Sequence, residues 1–303
     1  MDNREEVREF LTSRRAKITP ERAGLPSSSR RRVPGLRRSE VAALADVSVE
    51  YYSKLERGQL AGVSPAVLEA VARALQLDDA ERAHLLNLAR AADGSDVLTR
   101  PKRRRTKAQW TPHRSLQWML DAVTAGPALV RNGRMDVLAV NPLARAFYAD
   151  LYAAPGNQLN LARFQFLDPA ARRFYPDWER FADMCVPILR SEAGRNPYDK
   201  DLHDLVGELS TRSEEFRIRW GAHNVRHHGA GTKRFHHQAV GELTLAYEDL
   251  ELTAEPGLTL TVYTAEPGSP SEEGLRLLAS WAATQEPQQI TTAPAMPPSP
   301  GQR

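Results

Sequence analysis

Apolar residues in the first ninety positions recur every three or four residues, the spacing expected for one face of a helix. The periodicity predicts helices at 3–18, 36–45, 48–57, 64–77 and 78–92. Ser64 followed by Pro65 favours a helix start, and Asp78 or Asp79 supplies a cap for the last helix. Five short helices in one run indicate a small all-α domain, which we place at residues 1–93.

The pattern changes after this domain. Residues 94–112 are polar and basic and contain prolines, which is typical of a linker. Beyond them the sequence predicts helices at 115–123, 142–152, 177–194 and 199–223, a hairpin turning at Asn132-Gly133, and strands within 233–252 and 257–267. We therefore predict an α+β domain at 113–284, with one antiparallel sheet and a helical layer. Residues 285–303 are rich in Pro, Gln and Thr and are predicted to be disordered.

The helices at 36–45 and 48–57 are joined by about three residues, so they can only meet at a steep angle. The positions expected to face inward in this pair are Val41, Ala42, Ala45, Tyr52 and Leu55. Asp46, in the turn, is predicted to adopt a positive φ, which Asp tolerates better than most residues. Ser48 is predicted to cap the second helix.

The outward face of the second helix carries residues of mixed chemistry at its N-terminal end: Val49, Glu50, Ser53 and Lys54. An α-helix fits the major groove of DNA, where such side chains read base edges. Lys suits the acceptors of guanine, Glu the amino group of cytosine, and Val the methyl group of thymine. This face is therefore a candidate for sequence-specific DNA recognition.

The distribution of charge favours the same function. Residues 1–107 carry 22 Lys or Arg against 15 Asp or Glu, whereas residues 108–303 carry 19 against 23. A basic N-terminal third suits a polyanion. Arg30, Arg31 and Arg32 precede the helix pair, where they can contact phosphates or enter the minor groove; a solvated basic loop is the alternative. The basic run at 101–107 can steer association or merely keep a linker soluble.

The run from Ser48 to Gly58, S-x-x-Y-x-S-K-L-E-R-G, resembles the helix-turn-helix of the phage-repressor-like (XRE-type) transcriptional regulators. "SPAVLEAVARAL" is similar to the helix that follows in that family. The resemblance implies that Arg38 and Ser39 face phosphate, and that Tyr51 and Arg57 lie near the DNA backbone. The complete set of predicted DNA contacts is Arg30, Arg31, Arg32, Arg38, Ser39, Ser48, Val49, Glu50, Tyr51, Ser53, Lys54 and Arg57.

Longer stretches extend the resemblance over most of the chain. "LVRNGRMDVLAVNPLARAFY", "NLARFQFLDPAARRFYPDW" and "GTKRFHHQAVGELTLAYEDLEL" resemble the actinobacterial MmyB-like regulators. In that family an XRE-type head is joined to a PAS-like ligand-binding domain. Asp46 stands where glycine would be usual. The expected protein is a transcriptional regulator that binds a two-fold DNA operator as a homodimer, with half-sites about 34 Å apart.

Aromatic residues are concentrated between positions 147 and 181. Such density can line a cavity, although packing in the core explains any single ring. Because of the resemblance, we predict a cavity for a small, mainly apolar ligand, such as an acyl chain or a lactone. The residues predicted to bind it are Phe147, Tyr148, Phe164, Phe166, Trp178 and Phe181.

Other functions are less well supported. The sequence contains no Gly-rich phosphate loop, H-E-x-x-H or G-x-S-x-G, so we predict neither an enzyme nor a cofactor. Five histidines lie between His223 and His237, but they favour structural or pH-sensitive roles over a metal site, because His236 and His237 point to opposite faces of a strand. The alternative is an interaction protein whose second domain only dimerises or contacts the transcription machinery.

The cellular location is predicted from two kinds of segment that the sequence does not contain. No apolar run approaches the 18 residues of a membrane span, and no secretory signal is recognisable, so a cytoplasmic protein is expected. The single cysteine, Cys185, excludes a disulfide within the chain. It is predicted to be a buried apolar residue.

Overall fold

The computed structural model describes residues 3–26, 35–93, 110–154, 158–222 and 230–285. The N-terminal domain is all-α, and its helices within these ranges are α1 (Asn3–Lys17), α2 (Arg38–Leu44), α3 (Val49–Glu56), α4 (Pro65–Ala74) and α5 (Asp79–Ala92). The predicted caps are confirmed. Oγ of Ser48 accepts a hydrogen bond from the backbone N–H of Tyr51 at 3.1 Å, Ser64 caps α4, and Asp78 caps α5.

The turn between α2 and α3 has the predicted geometry. Asp46 adopts a φ of 53°, in the left-handed region. This conformation lets the chain reverse direction within a few residues, so that the two helices pack closely. All five positions predicted to face inward are buried, with Val41, Ala42 and Tyr52 completely inaccessible. They join Phe10 and residues of α4 and α5 in a single apolar core.

The C-terminal domain is α+β, as predicted. In chain order its elements are α6 (Arg114–Ala122), β1 (Ala128–Asn132), β2 (Val137–Val140), α7 (Pro142–Phe147), α8 (Ala149–Ala153), α9 (Leu161–Leu167), α10 (Ala170–Phe174), α11 (Trp178–Arg195), α12 (Lys200–Arg212), α13 (Glu214–Gly221), β3 (Ala230–His237), β4 (Gly241–Glu251), β5 (Leu258–Ala265) and α14 (Pro270–Gln285). The strands form one antiparallel sheet in the order β2-β1-β5-β4-β3.

Both faces of the sheet are covered. On one face α6 packs Leu116 and Leu120 against Val130 of β1 and Leu260 of β5. The other face meets a large aromatic cluster that includes residues of α7, α10 and α11. Strand alternation places Leu129 in this second core and Val130 in the first. The described helices include none with both the length and the apolar character needed to cross a bilayer.

Several predicted boundaries were wrong. The predicted helix at 142–152 is divided at Tyr148 into α7 and α8, and the one at 199–223 is divided at Ser213, whose hydroxyl caps α13 by accepting from the N–H of Phe216. Serine favours such caps because its side chain competes for backbone donors. Helices α9, α10 and α14 were not predicted. The first two have only seven and five residues, too few for a clear helical period.

The hairpin of β1 and β2 is confirmed, but its turn is wider than the predicted Asn132-Gly133 dipeptide. Oδ1 of Asn132 accepts from the N–H groups of Arg134 and Asp136, both at 3.0 Å, and Met135 adopts a φ of 67°. Gly133 is needed for a different reason. A Cβ atom there would lie 2.2 Å from the carboxylate of Glu192, so glycine permits the approach of α11.

Three predictions fall wholly or largely outside the described residues. They concern the arginines at 30–32, the linker at 94–112 and the tail at 285–303.

Candidate DNA-reading face and ligand cavity

The outward face of α3 is open. Val49, Glu50 and Lys54 are exposed, and Ser53 is half-buried. Val49 keeps 41% of its surface accessible, in a helix whose opposite side is fully packed. The face therefore offers one apolar, one acidic and one basic side chain at neighbouring positions near a helix N-terminus, which is the end that recognition helices direct at bases.

A buried carboxylate fixes the orientation of α3 relative to α1 and α2. The side chain of Glu56 is only 1% exposed. Arg15 donates to its oxygens from Nε and Nη2 at 2.9 and 3.0 Å, and Arg38 donates from Nε and Nη2 at 3.1 and 2.9 Å. Burial alone would raise the pKa of Glu56, but the hydrogen bonds from the two guanidinium groups hold it below its ordinary value.

One residue predicted to contact DNA, Arg38, also forms an ion pair inside the head. Arg38 begins α2, as expected, and its side chain remains 55% exposed while it binds Glu56. Its guanidinium is therefore held at the surface next to α3. Sequence reasoning missed Glu56, although its position beside the inward Leu55 was a usable signal, because a charge at an inward helical position requires a partner.

The other predicted contacts in the head lie on or beside the same surface. Ser39 is exposed on the first turn of α2, and Arg57 is exposed at the C-terminal cap of α3. Tyr51 is half-buried against the apolar core of the head, so only part of its ring is available.

The C-terminal domain contains a partly open cavity of about 50 Å³ between the sheet and α11. Of the six residues predicted to bind a ligand, Tyr148 and Phe181 line it. Phe147 borders a second cavity of about 270 Å³, near the half-exposed Trp281 of α14.

The remaining three predicted ligand-binding residues line neither of these two cavities. Phe164 packs edge-on against two neighbouring rings, and Phe166 packs against Trp178. The indole N–H of Trp178 donates to the backbone oxygen of Gln165 at 3.0 Å. Their contacts are those of core residues.

The cavity has a polar wall that the sequence analysis did not predict. Arg131 of β1 binds Asp249 of β4 at 2.8 Å. Nζ of Lys233 of β3 lies 3.7 Å from the ring centroid of Tyr247 and 5.5 Å from that of Tyr263. Burial lowers the pKa of Lys233 to about 7, against the opposing influence of Asp249.

Tyrosine hydroxyls complete this polar wall. The apolar part of the lining consists of thioether, thiol and aliphatic groups and one phenyl ring. The hydroxyls of Tyr148 and Tyr263 are 3.0 Å apart and share a hydrogen bond. Cys185 is buried as predicted, and desolvation raises its pKa to about 12. The apolar lining residues are Leu129, Met135, Leu161, Phe181, Met184, Cys185 and Ile188. The lining therefore combines apolar surface with one amino group, that of Lys233, which can meet a polar or anionic group.

Two of the five clustered histidines are described. His236 is exposed and His237 is buried, as alternation on a strand requires. Nδ1 of His237 accepts from the N–H of Ala239 at 3.1 Å, so its Nε2 carries the hydrogen and donates to the backbone oxygen of Ala146 at 3.2 Å. These contacts join β3 to α7. His223, His227 and His228 lie outside the described residues.

Comparison with known families assigns both halves of the chain. The model of the MmyB-like transcription regulator ligand binding domain matches residues 112–278, which is more than half of the chain. A helix-turn-helix domain model matches residues 12–85. No curated protein matches the chain.

Proposed function

Since the chain belongs to the MmyB-like transcription regulators, we propose that α3 reads a specific operator and that a small molecule in the C-terminal domain changes operator affinity. The observation that carries this proposal is the combination of an open helix face in a helix-turn-helix domain with a cavity that has one apolar and one polar wall. Both domains are those of a regulator rather than of an enzyme family.

The DNA-binding part rests on the chemistry of the α3 face. Lys54 reads guanine acceptors, Glu50 a cytosine amino group, and Val49 a thymine methyl group. Arg38, held beside this face by Glu56, reaches phosphate, as do the arginines at 30–32. Two copies of the head bind a two-fold operator with half-sites about 34 Å apart, so the functional form is a homodimer.

The ligand is small and mainly apolar, of the acyl or lactone type. The apolar wall accommodates its body, and Lys233 with its neighbouring tyrosine hydroxyls receives its polar group. A cavity of about 50 Å³ is far below the roughly 300–1,000 Å³ of typical ligand sites, so binding must widen it. A ligand that favours the widened arrangement over the closed one regulates through that difference, typically about 1–3 kcal/mol.

The DNA-binding claim is tested by titrating the full-length protein against DNA from beside its own gene and against random DNA at two salt concentrations. We expect the specific fragment to bind about 10³-fold or more tightly than random DNA. Changing Arg30, Arg31 and Arg32 to Ala should weaken binding to both DNAs and reduce the salt dependence. Equal, salt-sensitive binding of both DNAs by the unaltered protein would contradict operator recognition.

The ligand claim is tested by thermal unfolding with a series of saturated carboxylic acids and their lactones. A ligand at 100 times its Kd stabilises the folded state by about 2.7 kcal/mol, which raises the melting temperature measurably. Lys233→Met should reduce the shift given by acids more than the shift given by lactones. If no compound changes either melting or operator affinity, the C-terminal domain acts instead through protein contacts, for which the exposed Trp118 and Met119 of α6 are available.

A further inference from the structure

Helix α11 lies between the cavity and the DNA-binding head. Its residues Phe181, Met184 and Ile188 line the cavity, together with Cys185. A helix turns by about 100° per residue, so these positions share one face. Arg190 lies on the opposite face, only two residues beyond Ile188. The same helix therefore contacts the ligand cavity on one side and the N-terminal domain on the other.

The contact with the head is a buried ion pair. The side chain of Arg190 is completely inaccessible, and its guanidinium binds the carboxylate of Glu6, which belongs to α1 and is 4% exposed. The same guanidinium lies 4.1 Å from the ring centroid of Trp220 and donates to the backbone oxygen of that residue. Burying such a pair is costly unless its geometry is maintained, so the pair is sensitive to small displacements of α11.

A second contact allows the two domains to approach closely. Gly194 of α11 lies against the ring of His84 of α5, and a Cβ atom at position 194 would come within 2.7 Å of that ring. His84 is buried, and its Nε2 is 3.6 Å from the carboxylate of Glu6. Desolvation lowers the pKa of His84 despite the nearby Glu6, so the ring is neutral at neutral pH and adds no charge to the ion pair.

Near its middle, α11 contains a proline. Pro187 lacks the N–H group that would bond to the carbonyl of Asp183, and this missing bond makes bending at the site easier. Three of the four cavity residues of α11 precede the proline, Ile188 directly follows it, and Arg190 and Gly194 lie further along. Displacement of the first half of the helix can therefore change the angle at which the second half meets the head.

The opposite wall of the cavity is stiffer. It is formed by residues of β1, β3, β4 and β5, which are hydrogen-bonded to one another in the five-stranded sheet. A ligand that widens the cavity displaces the more easily moved wall, which is α11, because its movement does not require breaking a ladder of backbone hydrogen bonds.

We propose that α11 couples the cavity to the head: a ligand displaces the helix, the Glu6–Arg190 contact is altered, and the head changes its orientation relative to the C-terminal domain. The inference rests on the proposed function in that a ligand supplies the displacement. It adds the route by which the displacement reaches the DNA-binding surface, and it assigns Arg190, Glu6 and Gly194 to that route.

The test compares variants of the full-length protein by hydrogen exchange and by operator affinity. Arg190→Met and Glu6→Met each remove one member of the buried ion pair, and we expect exchange in α1 and α5 to rise at least tenfold. The double variant replaces the pair by two apolar side chains and should return exchange to within about threefold of the unaltered protein. Arg195→Met, at the exposed last residue of the same helix, is the matched control and should change nothing.

Sodium decanoate is the probe for coupling. In the unaltered protein and in Arg195→Met it should raise the melting temperature and change the operator Kd by about fivefold or more. In each single variant the rise in melting temperature should persist while the change in Kd disappears, and the double variant should recover part of that change. An undiminished change in Kd in both single variants would overturn the coupling route.

A third variant separates failure of the coupling from failure of the proposed ligand class. If decanoate does not shift the melting temperature of the unaltered protein, the acyl ligand class is wrong, but the route can still be tested by filling the cavity from within. Ile188→Trp should then raise exchange in α5 at least threefold without any ligand. Unchanged exchange in that variant, once its melting confirms that it is folded, would refute the route through α11.

Discussion

The two domains have cores of different composition. The head buries mainly aliphatic side chains, with Phe10 and Tyr52 as the aromatic members of its cluster. The C-terminal domain buries rings in edge-to-face contacts, centred on Phe147, whose ring lies 4.9 Å from those of Tyr148 and Phe235. Rings that meet edge to face are a favourable packing in themselves, and several of them also line the cavity: Tyr148, Tyr175, Phe181 and Tyr263. The aliphatic core thus holds the reading helix, and the aromatic core surrounds the cavity.

Buried charges differ in the same way. Glu56 in the head receives four hydrogen bonds from two arginines. Lys233 in the C-terminal domain has rings around its amino group, and among the described residues no carboxylate oxygen lies within ion-pair distance of it. Glu56 is thus satisfied within the head, whereas the amino group of Lys233 can still be satisfied by an incoming group.

The largest expected effect is the loss of stability when the buried charge of Glu56 is removed. Glu56→Ala leaves Arg15 partly buried without its partner and should destabilise the head by about 3–5 kcal/mol. Glu50→Ala, on the exposed face of the same helix, should change stability by less than about 0.5 kcal/mol. Hydrogen exchange of the slowest amides in the head measures both. Similar losses of stability in the two variants would show that the buried Glu56 contributes no more to stability than the exposed Glu50.

The next effect concerns the reading surface. Lys54→Ala should reduce discrimination at one base pair by about 1–3 kcal/mol while leaving affinity for random DNA nearly unchanged. Binding to a set of operators, each altered at a single position, identifies that pair. A uniform loss of affinity for all DNAs would mean that Lys54 contacts phosphate rather than a base.

A third prediction concerns pH and the unsatisfied lysine. The folded protein holds the pKa of Lys233 at about 7, below the ordinary value near 10.4. Between these values the unfolded chain binds a proton that the folded chain does not, so stability rises with pH. The rise from pH 7 to 9 should be about 2 kcal/mol. Lys233→Met should abolish it, whereas Lys200→Met, at an exposed position, should leave it intact; thermal unfolding against pH decides.

The smallest effect tests the start of the reading helix. Ser48→Ala removes the side-chain acceptor for the N–H of Tyr51 and should cost about 1 kcal/mol of head stability. Ser53→Ala, one turn further along the same helix, is the control and should cost less. Chemical denaturation followed by circular dichroism provides the comparison, and an equal cost at both positions would contradict the assigned cap.

What could be predicted from the sequence was local in the chain. Ser48 and Ser64 cap helices through donors three residues away, and Asp46 adopts its positive φ because of the turn it occupies. The alternation of strand residues was equally readable. Each depends on neighbours within a few positions, so one sequence contains the necessary signal.

What the sequence missed depends on distant partners. The polar wall of the cavity combines Arg131, Lys233 and Asp249 from three strands, and no local pattern joins them. One signal was present, since Lys233 shares its strand face with the buried Phe235 and His237. The aromatic segment was identified as a region, but which rings line the cavity depends on how α11 crosses the sheet. Arg190 gave no local sign of a partner 184 positions away in the chain.

The position of α11 bears on how such regulators can be recombined. Exchanging sensor domains between proteins at the linker is attractive when the linker separates two independent modules. Here the sensor's signalling helix needs a matching receiver on the head, formed by Glu6 and His84. A chimaera that joins this head to a foreign sensor would still bind the operator and the foreign ligand. Its operator affinity would not respond to that ligand unless the residues of the head that contact the sensor were also changed to match the foreign sensor.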